Sequence, residues 1–260
     1  MSINKLKELA GKYSLSDEIV DQREKDRLSF VEHFTIIELK NLSIDQFAQG
    51  TDDNSFCYWL EFKKIGFGIG GGNASKFGIY KTKNKEEIVY ATGYGKNKTY
   101  LVDQAAKDYF SDLINKIIKA LDYTRGDKTD KIRELEIPMW NMVLQKILGI
   151  YYPDKFLTIG SPTVLIKCAK ELGIQNIEHS SDNSILINYE CKKAISKNPQ
   201  FSKWSYEKIG TFIWETFDGE NKKRKRKRKE SKQYWLYAPG ENAYLWDEFY
   251  QGGFMGLGWD

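Results

Sequence analysis

The sequence predicts an α+β chain: a small antiparallel sheet with a packed helix, then a helical region, then the truncated start of a β-barrel. Three observations predict it. Aromatic and β-branched runs bounded by glycines and polar turns cluster between residues 55 and 91, where strands are favoured. Apolar residues spaced for one helix face run from Leu101 to Leu121 and return beyond Trp140. A final aromatic-rich stretch has strand-like runs at both ends and too few residues to close a core of its own.

Residues 1–125 form an N-terminal α+β region. Its first fifty residues read as helical: Ser16-Asp17-Glu18 is an N-terminal cap signature, and Ile19, Leu28, Val31, Phe34, Ile36 and Ile37 supply apolar positions. The charges of 21–27 leave one side of that helix exposed. Phe56–Phe62 is expected to be a strand, followed by the glycines of Gly66 to Gly72. Lys76–Tyr80 and Glu87–Ala91 are expected as two further strands, with Asn84 in the polar turn between them. In the following helix Leu101, Ala105, Tyr109, Leu113, Ile117 and Leu121 recur every four residues, giving one broad face to pack on the sheet.

Residues 126–218 are expected to be helical with short loops. Trp140, Val143, Leu144, Ile147 and Leu148 form one stripe. Ser161-Pro162 sets a cap before a proline at the first helical position, and Gly173 stands where that helix should stop. Pro199 breaks one helix, and Ser205 starts the next, which carries Ile209, Phe212, Ile213 and Trp214. Residues 219–233 are a basic linker. In 234–260, Tyr234–Tyr237 and Phe254–Trp259 read as strands around a Pro239-Gly240 turn and a short helix from Glu241 to Gln251. The domain they open is expected to continue beyond Asp260.

Composition bounds the function classes. The 260 residues, 41% hydrophobic and 29% charged, are ordinary for a soluble globular protein. No apolar run approaches the roughly 18–20 residues that cross a bilayer, and the N-terminus lacks the apolar core of a secretory signal. Cys57, Cys168 and Cys191 are far apart and unpaired in spacing, which fits a cytoplasmic location and gives neither a disulfide framework nor a zinc site. The formal charge of +4 is unevenly spread: Lys222 to Lys229 contribute eight positive charges, so the remainder of the chain is slightly acidic.

No motif supplies a catalytic residue, a cofactor site or a metal site. Gly66-Phe67-Gly68-Ile69-Gly70-Gly71 matches GxGxxG, but Asn73-Ala74-Ser75 leads towards a strand rather than the helix that a dinucleotide site needs. It reads as a hairpin connection, with a glycine loop approaching a DNA phosphate or a partner left open. Gly93-Tyr94-Gly95-Lys96 fails the phosphate-loop pattern, because Tyr90 stands at the first glycine position and Asn97 follows the lysine. Asp154 with Glu190-Cys191-Lys192, and Asp53 with Glu61-Phe62-Lys63, carry the letters of metal-dependent nucleases. The first set lies in helical context and the second lacks further acids. His33 and His179 read as solvated.

Two features point to nucleic acid. Lys222, Lys223, Arg224, Lys225, Arg226, Lys227, Arg228 and Lys229 cannot pack together, so they form a solvated tether able to hold phosphates without sequence preference. The aromatics behind it, including Trp235, Tyr237, Trp246 and Trp259, are core residues or an aromatic pocket for a base drawn from the stack.

Tyr234–Ala243, Trp246–Tyr250 and Gly256–Asp260 together resemble the opening of an EVE-type domain, as found before the motor of McrB-like modification-dependent restriction proteins. Asn41–Ser43, Phe56–Glu61, Gly70–Tyr80, Ala91–Gly95 and Tyr152–Leu157 are similar to the N-terminal region of the same proteins. The resemblance implies a recognition module that senses a modified base in foreign DNA, with Trp235, Tyr237, Trp259 and Asp260 near the base pocket. It further implies a downstream AAA+ motor, to which GTP and magnesium would belong, and a separate nuclease subunit as partner. The alternative is a protein-interaction module for a partner subunit, with the basic run only a spacer. An independent metal-dependent nuclease is a third reading.

Overall fold

The computed structural model describes residues 3–50, 52–63, 65–70, 73–84, 87–218 and 245–252. They are a mixture of helices and one small sheet, divided between a first unit, Met1–Asp218, and a second, Gly219–Asp260.

In the first unit the chain opens with helices α1 (Ile3–Gly11), α2 (Asp17–His33), α3 (Ile36–Leu39) and α4 (Ile44–Phe47). Ser16 stands at the cap of α2, although its side chain makes no capping bond. The two short helices survive because each has a full capping box: Thr35 with Glu38, and Ser43 with Gln46.

Phe56–Phe62 is helix α5, not a strand. Ser55 caps it by accepting from the Tyr58 amide at 3.3 Å. Phe56, Cys57 and Leu60 are the buried positions; that is the i, i+1, i+4 spacing of a helix face, where a strand would alternate. The expected strand at Lys76–Tyr80 is also displaced. Ala74–Phe77 forms a 3-10 turn, held by Asn73 Oδ1 on the Ser75 amide, and Gly78 reverses the chain at φ +86°. An added Cβ at Gly78 would sit 2.5 Å from the Pro138 carbonyl oxygen, so glycine is required there.

The sheet begins at the last residue of that predicted strand. Strands β1 (Tyr80–Asn84), β2 (Glu87–Thr92) and β3 (Thr99–Leu101) form an open antiparallel sheet in that order. Tyr80 lies opposite Ala91, and Tyr90 opposite Leu101. The expected strand at Glu87–Ala91 is thus found, while β3 was not anticipated and takes Leu101, the first residue of the expected helix.

That helix, α6, spans Asp103–Arg125 and buries Phe110, Leu113, Ile114, Ile117 and Leu121 along the anticipated face. Its Tyr109 hydroxyl lies 2.9 Å from Thr92 Oγ1 on β2. The helices beyond Trp140 follow the sequence pattern closely: α7 (Asn141–Tyr151), α8 (Pro162–Glu171), α9 (Ser184–Ser196) and α10 (Tyr206–Phe217). Pro162 opens α8, Gly173 takes φ +71° behind it, and the Ser205 side chain caps α10 at the Lys208 amide.

Two cores hold this unit. The first gathers Phe30, Phe34, Phe56, Phe77, the buried face of α6, and Leu144, Ile147 and Tyr189, so it draws on both sides of residue 125. The second packs Leu6 and Ala10 of α1 against α8, α9 and α10. Between the helices, Asn188 is fully buried and fully used. Its Oδ1 accepts from the Leu157 amide at 2.7 Å, and its amide nitrogen donates to Gln145 Oε1, Leu157 O and Ile159 O.

In the second unit the described residues form helix α11 (Trp246–Gly252), inside the expected Glu241–Gln251 span but for Gly252, with the Trp246 and Tyr250 rings stacked at 6.1 Å. The two strands expected on either side of it lie outside the described residues.

Candidate functional site

Lys222 to Lys229, Trp235, Tyr237, Trp259 and Asp260 all lie outside the described residues. Within them, two features of the first unit can do chemistry with a ligand.

The first is a cleft built around the glycine-rich loop. The segment Ile65–Gly70 is not the expected hairpin connection, since helix α5 precedes it and a 3-10 turn follows; Ile65 and Ile69 are buried, and Phe67 lies between them, half-buried. Lys76 pins it from below. Its side chain is 1% exposed, pairs with Glu61 of α5, and donates to the Ile69 carbonyl at 2.9 Å. The loop therefore carries Gly66, Phe67 and Gly68 to the wall of two adjoining cavities, of about 560 Å³ and about 350 Å³, which also share Arg23 of α2.

The larger cavity has Lys146 of α7 in its lining together with Glu61 and Lys63. Lys146 is 2% exposed and donates to the Leu60 carbonyl at 2.6 Å. Burial pulls its ammonium down to about 7, against the opposing influence of Glu61, so both the charged and the uncharged amine are present near neutral pH.

The smaller cavity is walled by Phe67, Met142 and Trp214, with Thr158, Ser161 and Glu207 adding polar atoms. Glu207 is 1% exposed, and its Oε2 accepts from Arg23 Nη1 at 3.0 Å. No hydrogen bond of good geometry reaches its Oε1. Burial pushes the carboxyl up, and Arg23, with a lesser contribution from the neighbouring Tyr206 side chain, opposes this. Arg23 Nη1 also donates to Thr211 Oγ1 at 3.1 Å. Two glycines make the close packing possible. A Cβ at Gly210 would meet Thr158 Oγ1 at 1.9 Å, and one at Gly160 would meet the Phe67 ring at 2.3 Å.

The second feature is the β2–β3 hairpin. Gly93 turns the chain at φ +69°, where a Cβ would lie 2.2 Å from the Asn97 carbonyl oxygen. Tyr94 is 69% exposed and Tyr100 45%. Lys96 is exposed between them, and Lys98 Nζ lies 4.9 Å from the Tyr100 ring centroid and 3.0 Å from Thr82 Oγ1. From Thr92 to Val102 there is no acidic residue.

The nuclease-like letters meet only in part: Lys192 feels the charge of Asp154, while Glu61 of the second set is paired with Lys76. Glu190 and Lys192 sit on α9, and Glu190 pairs with Lys193 at 3.5 Å. Among the described residues no group of three or more His, Cys, Asp or Glu could hold a metal ion. His33 is exposed as expected, with its ring stacked on Trp59 at 4.6 Å. His179 is half-buried rather than solvated, its Nε2 2.8 Å from the Ile174 carbonyl oxygen.

Sequence reasoning singled out the glycine loop but missed Arg23, Lys146, Glu207 and Trp214 as its companions. Lys146 offered one hint: it interrupts an apolar helix between Val143, Leu144, Ile147 and Leu148. Comparison with family models, with curated proteins and with solved structures gave no match.

Proposed function

We propose that this chain is the DNA-recognition part of a McrB-like restriction system, sensing modified bases in foreign DNA for a GTP-driven motor that follows and for a nuclease subunit that cuts. The observation that carries this reading is the β2–β3 hairpin. Exposed Tyr94 and Tyr100 bracket Lys96 and Lys98 in a stretch without acidic residues, and cations interleaved with exposed aromatic side chains suit phosphates and bases together. Three further points support it. The hairpin overlaps Ala91–Gly95, one of the stretches that resembles these proteins. The run Lys222–Lys229 adds eight positive charges that suit the same backbone. The aromatic stretch from Trp235 to Trp259 resembles the start of an EVE-type barrel, and that start would contribute its own base pocket.

The test is binding of methylated and plain duplexes at two salt concentrations, with the intact chain, a Tyr94→Ala/Tyr100→Ala variant and a variant with Lys222–Lys229 made neutral. Preference for the methylated duplex, a steep fall of affinity with salt and a loss in both variants are expected. Equal affinity for both duplexes, unchanged in either variant, would remove this reading in favour of a protein-interaction module.

A further inference from the structure

The smaller cavity beside the glycine loop has a composition that specifies its ligand. Two aromatic side chains, Phe67 and Trp214, line a space of about 350 Å³, a size within the range of small-ligand sites. Flat aromatic walls favour a flat ring. Glu207 brings an acceptor: it is 1% exposed, it lines the cavity, and its Oε1 lacks a good hydrogen bond. A buried acceptor of this kind is costly when unmade and is satisfied by an N–H donor. Arg23 brings donors: Nη1 serves Glu207 and Thr211, and among the described residues Nε and Nη2 have no partner. The Ser161 side chain, at the cap of α8, makes no capping bond and also lines the space. Gly160 and Gly210 keep the walls free of side chains where the packing is tightest.

We infer that this cavity binds a planar nitrogen heterocycle carrying an amine donor next to a ring acceptor, the chemistry of an amino-substituted nucleobase. The amine faces Glu207, the ring acceptor faces Arg23, and the ring lies against Phe67 and Trp214. The inference goes beyond the DNA-recognition reading, because a free nucleoside and a base swung out of a strand offer the same groups. It also differs in place, since it puts a base site beside the glycine loop rather than at the β2–β3 hairpin or among the aromatics after the basic run.

The experiment pairs nucleosides that differ only in the amine: cytidine against zebularine, and adenosine against nebularine. Binding to the full chain is followed by calorimetry and by protection of the Trp214 indole from oxidation, with single-stranded oligonucleotides containing the same bases as a second arm. At least one amine-bearing member is expected to bind about ten-fold more tightly than its partner, since a site built to bond an N–H rejects the analogue that lacks it. Glu207→Gln should erase that preference. Trp214→Ala, a change at an exposed position with its fold checked by circular dichroism, should weaken binding about ten-fold through lost stacking.

Nucleoside binding without DNA binding upholds the inference and removes the DNA reading. Oligonucleotide binding that requires Trp214 and the amine, without free-nucleoside binding, upholds it with a base in a strand as the source. Equal binding of both members of each pair, no binding in either arm, or DNA binding indifferent to Glu207→Gln and Trp214→Ala overturns it. In the last case the DNA reading stands alone.

Discussion

Replacing Lys146 by methionine should stabilise the protein, and the gain should depend on pH in a specific way. Lys146 is held under the glycine loop with its ammonium brought down from 10.5 to about 7 by burial. In the unfolded chain it titrates near its ordinary value, so between those two limits the unfolded state binds more protons than the folded one. Stability contributed by this group therefore rises with pH across that window. At about 1.4 kcal/mol per pH unit, the full penalty on the folded state is about 5 kcal/mol at low pH. It is still about 4 at neutrality and about 2 near pH 9. Methionine removes the penalty and keeps the unbranched shape, but it takes the donor from the Leu60 carbonyl, now bonded at 2.6 Å, at a cost of about 1–3 kcal/mol. The net expectation is a variant more stable by about 2–3 kcal/mol near pH 6, an advantage that shrinks by about 2–3 kcal/mol on going to pH 9. Urea unfolding of both proteins at several pH values measures it. A difference that stays constant with pH, or grows as pH rises, refutes the reasoning that this lysine is desolvated in the folded state.

Four further outcomes follow from the same structure. Lys76→Met strands Glu61 and the Ile69 carbonyl beneath the loop, so it should cost about 3–5 kcal/mol, read as a lower urea midpoint. Asn188→Ala removes four buried hydrogen bonds at once and should cost about 3 kcal/mol in the same measurement. Gly210→Ala forces a Cβ to 1.9 Å from Thr158 Oγ1; an overpacking loss of about 1–3 kcal/mol is expected, and an unchanged melting temperature would show that the helix can shift freely. The cysteines are all buried. Burial pushes the Cys57 thiol up, and a hydrogen bond with Cys191 followed by burial does the same for Cys168. A thiol-reactive dye should thus label none of the three in the native protein and all of them in urea.

Helices α6, α7, α8 and α10 were legible because apolar residues repeat at helical spacing or because Pro162, Gly173 and Ser205 mark their ends, whereas α9 was signalled only by the break at Pro199. Helix α5 was not, since seven residues rich in aromatics fit a strand or a helix equally by composition. What decided it lay outside the run: the cap at Ser55 and the partnership of Glu61 with Lys76, fifteen residues away. Strand β3 was missed because it is only three residues long and its last residue, Leu101, extends the period of the next helix. The cleft was illegible for a different reason. Arg23, Phe67, Lys146 and Glu207 are spread over four elements, and no local spacing reports a meeting of residues so far apart. The glycines were visible, but their use depends on Gly160 and Gly210 leaving room on the opposite wall.

The second core joins the first helix to the last. Leu6 and Ala10 pack with Ile209, Phe212 and Phe217, and the Tyr13 ring lies 5.1 Å from that of Phe212. The two ends of residues 3–218 are thus held side by side, and the polypeptide path is nearly a ring. A short glycine-serine bridge between them should let the unit be reopened elsewhere, for instance at the exposed Lys96-Asn97 turn, as a circular permutant that still folds. Deleting α1 should do the reverse, loosening α10 and with it the wall that carries Glu207 and Trp214.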